Sequence, residues 1–94
     1  MRRAALLLAL LASACAATPT PTRDELAQAL VPFHAAPATP TDITHIACRG
    51  LEVDPTEFAC RWRQRDRRWW QGWQSYLALS GDGWQLIDDP ARRP

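Results

Sequence analysis

The 94-residue chain carries 11 arginines, no lysine and 10 acidic residues, for a formal net charge of +1. With the first fourteen residues set aside, 80 remain, and the loss of Arg2 and Arg3 takes the charge to −1. That size excludes a multidomain enzyme, and the charge gives no reason to expect nucleic acid as a partner.

Arg2 and Arg3 precede an apolar run from Ala4 to Leu11, the charged and apolar layout of a secretory signal peptide over residues 1–14. The run falls short of the roughly 20 apolar residues that span a bilayer. Ala12, Ser13 and Ala14 then stand immediately before Cys15. Residues 1–15 resemble the lipobox of bacterial lipoproteins, although that family usually has leucine where Ala12 stands. The resemblance implies that Cys15 is lipid-modified and becomes the first mature residue. Because Ala16 rather than aspartate follows, it also implies sorting to the outer membrane, with the domain facing the periplasm. Ala12-Ser13-Ala14 equally fits ordinary signal cleavage, so a soluble periplasmic or secreted protein is the alternative. Cysteine arithmetic favours the lipoprotein, since lipid on Cys15 leaves Cys48 and Cys60 as one pair.

Residues 15–22 read as a lipidated cysteine and a proline- and threonine-rich tether, which at about 3.1 Å per residue would hold the domain on the order of 20 Å from the head groups. Thr22, Arg23, Asp24 and Glu25 then form a capping box, and a helix is predicted from Arg23 to Val31, where Pro32 ends it. Leu26, Ala27 and Leu30 share one side of it, a narrow apolar stripe that must be covered. Pro32, Pro37 and Pro40 punctuate a loop in which His34 is expected to be a solvated or packing residue rather than a ligand.

From Asp42 the text turns β-rich, and four antiparallel strands in meander order are predicted: Thr41 to Glu52, Glu57 to Arg65, Trp70 to Leu79 and Trp84 to Asp88. The turns fall at Val53-Asp54-Pro55-Thr56, at Asp66-Arg67-Arg68 and at Ser80-Gly81-Asp82-Gly83, where two glycines suit a tight hairpin. Pairing Cys48 with Cys60 makes the numbers of facing residues sum to 108, so that Ile46 faces Trp62, Gly50 faces Phe58 and the chain reverses at Asp54. Closing that loop of thirteen residues should stabilise the fold by about 3 kcal/mol. In this register Ile46, Cys48, Phe58, Cys60 and Trp62 point to one face, and Ile43, His45, Arg61, Arg63 and Arg65 to the other. Pairing Ser80 with Gly83 sends Leu77, Leu79, Trp84 and Leu86 to the core and Tyr76, Ala78, Gln85 and Ile87 outward. The expected fold is therefore α+β, one short helix on a four-stranded sheet over residues 23–89, with one disulfide and a tail at 90–94.

No catalytic constellation, cofactor site or metal site is predicted. Cys48 and Cys60 form no Cys-x-x-Cys motif, and no glycine-framed serine elbow occurs. The unusual text is residues 61–73, with five arginines and four tryptophans. One account is structural: the arginines make a solvated strand face, their stems cover Tyr76 and Ile87, and their charge meets Asp42, Glu57 or Asp66. The functional account has Arg61, Arg63 and Arg65 present guanidinium forks to an anion while Trp69 or Trp70 offers a flat amphipathic surface. The anion would be a lipid head group, an envelope glycan with its carboxylates, or an acidic protein partner. Ser80-Gly81-Asp82-Gly83-Trp84 also resembles the loop that bacterial lysozyme inhibitors insert into their target, with Trp84 where that family prefers tyrosine. That resemblance implies inhibition of a cell-wall hydrolase through Ser80.

Overall fold

The computed structural model describes residues 18–33 and 39–93. The signal segment, Cys15, Ala16, the first residues of the tether and His34 lie outside the described residues.

The helix, α1 (Arg23–Leu30), starts where its capping box places it. The Glu25 amide donates to Thr22 Oγ1 at 3.2 Å, and the Thr22 amide donates to Glu25 Oε1 at 2.8 Å, so two otherwise unsatisfied donors are held. Pro32 ends α1 through its missing amide, and the chain tightens into a 3₁₀ turn over Val31–Phe33. Leu26, Ala27, Ala29 and Leu30 are buried, a stripe wider by Ala29 than expected. A second 3₁₀ turn, Pro40–Asp42, begins at a proline whose fixed φ suits it, and so delays the first strand.

The strands are β1 (Ile43–Leu51), β2 (Asp54–Asp66), β3 (Trp69–Ser80), β4 (Gly83–Leu86) and β5 (Ala91–Arg92). The first four pair as the expected antiparallel meander, and β5 continues the free edge of β3 beyond β4. Residues 91–92, expected in a tail, thus pair with Trp73 and Gln74. They do so because β3 is three times as long as β4, which leaves open backbone groups along the rest of that edge.

Cys48 opposes Cys60 and Gly50 opposes Phe58, and the disulfide is formed, with 4.1 Å between the two Cα atoms. The sum of 108 fails towards both ends of this hairpin. A register shift between Thr44 and Ala47 puts Ile43 opposite Gln64, and His45 takes a positive φ of 55° there. The bulge resets the alternation, so Ile43 is fully buried instead of facing outward with the arginines, while Ile46 still packs against the core. At the other end the chain reverses at Glu52-Val53, not at Val53-Asp54-Pro55-Thr56, with Leu51 opposite Asp54. Asp54 Oδ1 accepts the amide and hydroxyl of Thr56 at 2.8 and 2.7 Å, and this local loop takes up the extra length.

The helix stripe lies on one face of the sheet over Ile43, Phe58, Cys60, Trp62, Leu77 and Leu86. Phe58 and Trp84 stack at a tilt, their centroids 5.3 Å apart. Gln64, only 2% exposed, is with Ser75 one of the buried polar side chains and accepts the Trp62 indole N–H at 3.2 Å. The last hairpin has the expected register, Ser80 opposite Gly83, and Gly83 alone of its two glycines supplies a positive φ, at 98°.

Candidate functional site: the outer sheet face and the hairpin end

Between β2 and β3 the pairing runs unbroken from Glu57 opposite Ala78 to Asp66 opposite Trp69. Strict alternation along ten pairs therefore decides which side chains share a face. With Trp62, Cys60 and Phe58 turned to the core, Arg61, Arg63 and Arg65 stand on the opposite side, all exposed. Arg65 opposes Trp70, Arg63 opposes Gly72 and Arg61 opposes Gln74. Trp69 and Trp70, being consecutive, project to opposite sides of the hairpin end, and only Trp70 shares the arginine face.

The four tryptophans of residues 61–73 thus divide. Trp62 is core, and Trp73 is half-buried against it with the Arg92 guanidinium 5.6 Å from its ring. The Trp73 indole N–H is buried without a hydrogen-bond partner among the described residues. Trp69 and Trp70 are 77% and 41% exposed. A buried ring contributes its apolar area to folding. Trp69 largely does not, and Trp70 leaves about two fifths of its surface in solvent, so fold stability does not account for Trp69 and accounts for Trp70 only in part.

The arginines divide as well. Arg65 Nε lies 3.8 Å from Asp42 Oδ1, a solvated ion pair that ties the β2 end to the turn before β1. No carboxylate stands within ion-pair distance of Arg61 or Arg63 among the described residues. Tyr76 and Ile87 remain 44% and 46% exposed. The structural account therefore holds for the solvated strand face and for the ion pair of Arg65, while the charges of Arg61 and Arg63 meet none of the carboxylates it named.

Two further arginines reach this face. Arg49 on β1 opposes Ala59, and the same sum of 108 that paired the cysteines places it there. Arg93 arrives because its amide donates to the Gly72 carbonyl at 2.9 Å, and its stem lies over the bare Cα of Gly72. Only the pairing of β5 puts it there, and no periodicity in the sequence signals it.

Ser80 closes β3 at an exposed turn, and its hydroxyl accepts the Asp82 amide at 3.2 Å. Turn formation employs that hydroxyl locally. Near the first turn, Asp54 and Glu57 are hydrogen-bonded to one another. Donation from the Thr56 hydroxyl, foremost, with the Thr56 amide and Glu57, holds the Asp54 carboxyl below its ordinary range. The same contact with Asp54, more than slight desolvation or charge repulsion, raises Glu57. Both carboxyls are solvated, and the pair lacks the enclosure that general acid–base chemistry uses.

Among the described residues, no three of His, Cys, Asp and Glu gather to hold a metal, and no helix is long and apolar enough to cross a membrane. No family model, curated protein or solved structure matches this chain.

Proposed function

We propose that this chain is an exported, lipid-anchored, non-enzymatic binding domain that stands at the periplasmic face of the outer membrane and contacts anionic envelope components. Arg61 and Arg63 hold the anion and Trp70, on their face, supplies the amphipathic surface, with Trp69 exposed on the other side of the hairpin end and Arg65 shared between this contact and its ion pair to Asp42. The anchor is Cys15, for which the lipobox-like residues before it are the support.

One observation carries the binding reading: two exposed indole rings end the hairpin whose outer face bears two guanidinium groups with no carboxylate partner among the described residues. Guanidinium forks bind phosphate and carboxylate oxygens bidentately, and indole rings favour the boundary between apolar and wet surroundings. Near a negatively charged lipid surface each basic residue contributes about 1 kcal/mol. Arg61→Ala with Arg63→Ala should therefore weaken association with anionic vesicles or cell-wall sacculi by about thirtyfold. Because both side chains are solvated, the melting temperature should hardly move. Unchanged binding by the double variant would remove the reading.

A further inference from the structure

The outer face holds a second feature, a groove of about 630 Å³ beside the arginine and tryptophan surface. Its floor is low because Ala47 and Ala59 are small, and the C-terminal segment forms one wall. That wall is pinned at three points. Ser75 Oγ donates to the Asp88 carbonyl at 2.8 Å, Ala91 and Arg92 pair with β3, and the Arg93 amide bonds Gly72.

The groove carries both signs of charge. Arg49, Arg61 and Arg93 line it, and so do Asp88 and Asp89. The acidic pair follows Ile87, whose amide donates to the Tyr76 carbonyl, so its backbone runs beside the Tyr76–Ser75 part of β3. Arg93 enters four residues away along β3, over Gly72, with the rung of Arg61 and Gln74 between, while Arg49 reaches in from β1 on the rung of Ala59 and Tyr76. None of these five charges forms an ion pair among the described residues, although opposite signs share one cavity.

We infer that this groove binds a small zwitterion, an oxyanion and a primary ammonium joined by a few bonds. The oxyanion lies among the guanidinium groups of Arg49, Arg61 and Arg93, and the ammonium lies against Asp88 and Asp89 at the exposed Tyr76 ring. A simple anion would satisfy the arginines but meet two uncompensated carboxylates, and a simple cation would meet the reverse. A molecule carrying both charges complements both sets of side chains, and the Tyr76 face adds a cation–π contact to the ammonium. The cavity lies within the ordinary size range of small-molecule sites. This inference goes beyond the proposed surface contact and shares only Arg61 with it.

Calorimetric titration of the full chain at low ionic strength decides the matter, with O-phosphoethanolamine and glycylglycine as zwitterions, inorganic phosphate and ethanolamine as the halves of the first, and acetate and glycinamide as the halves of the second. At least one zwitterion should bind about tenfold more tightly than either half. Phosphoethanolamine as the tighter ligand assigns a lipid head group, and glycylglycine assigns a peptide end. Arg49→Gln and Arg93→Gln should each weaken binding by about tenfold, and Asp88→Asn with Asp89→Asn should erase the preference for the ammonium-bearing ligand. Trp69→Ala with Trp70→Ala, which strips the hairpin end, should leave this binding unchanged and so separates it from the proposed surface contact. Phosphate binding as tightly as phosphoethanolamine, or no zwitterion bound at about 10 mM, overturns the inference.

Discussion

Asp54 and Glu57 show how one hydrogen bond moves two neighbouring carboxyls in opposite directions. The lowered Asp54 stabilises the fold above the ordinary carboxylate range, and that contribution is lost as pH falls through its folded value. The raised Glu57 does the reverse, stabilising below the ordinary glutamate pKa of about 4.3 and losing its contribution as pH rises through the raised value. Glu57→Gln keeps a donor towards Asp54 at every pH. The variant should therefore melt higher than the parent at neutral pH, with the difference closing as pH falls towards about 4. Melting curves across that range test it, and a difference independent of pH would show that the two side chains do not share a proton. The same scale explains Gln64, whose burial a hydrophobic reading overlooks: it lies on the core face by parity, and the Trp62 indole supplies the hydrogen bond that makes burial of an amide tolerable.

Among the elements, β1 departs most from the regular pattern. Ile43 and Ile46 are three residues apart, a spacing that strict alternation sends to opposite faces, yet both join the core because His45 enters the left-handed region between them. Histidine tolerates that conformation better than a β-branched residue would. Proline cannot adopt a positive φ, so His45→Pro should cost about 3 kcal/mol, whereas His45→Gly should change stability by no more than about 1 kcal/mol. Denaturant unfolding of the two variants makes the comparison. Equal stability would mean that β1 runs without the bulge, since a plain edge strand can accept proline. The α1 boundary, by contrast, was legible in Thr22, Glu25 and Pro32, because caps and prolines act through atoms within one turn.

The disulfide links β1 to β2 beneath a single short helix, the only layer covering the core face among the described residues. A domain this small has a stability of only a few kcal/mol. Cys48→Ala should remove about 3 kcal/mol and bring thermal unfolding close to working temperature. Calorimetry under oxidising conditions checks this, and an unaltered melting temperature would mean that packing alone sustains the fold. Among the described residues no layer covers the opposite sheet face, which is why Arg61, Arg63, Trp70 and Tyr76 meet solvent there and why a groove can form.

The amino-acid order by itself determined the helix with its cap, the meander of the first four strands, the Cys48–Cys60 pairing and the exposed face of Arg61, Arg63 and Arg65. These follow from interactions a few residues apart, or from one covalent tie that sets a register. Tertiary structure decided what alternation could not: the bulge that turns Ile43 inward, the earlier reversal at Glu52-Val53, the separation of Trp69 and Trp70 from the core tryptophans, and the docking of Ala91 and Arg92 on β3. Each of these depends on which backbone groups and which patch of core a distant segment finds unoccupied. That competition is resolved only when the whole chain packs.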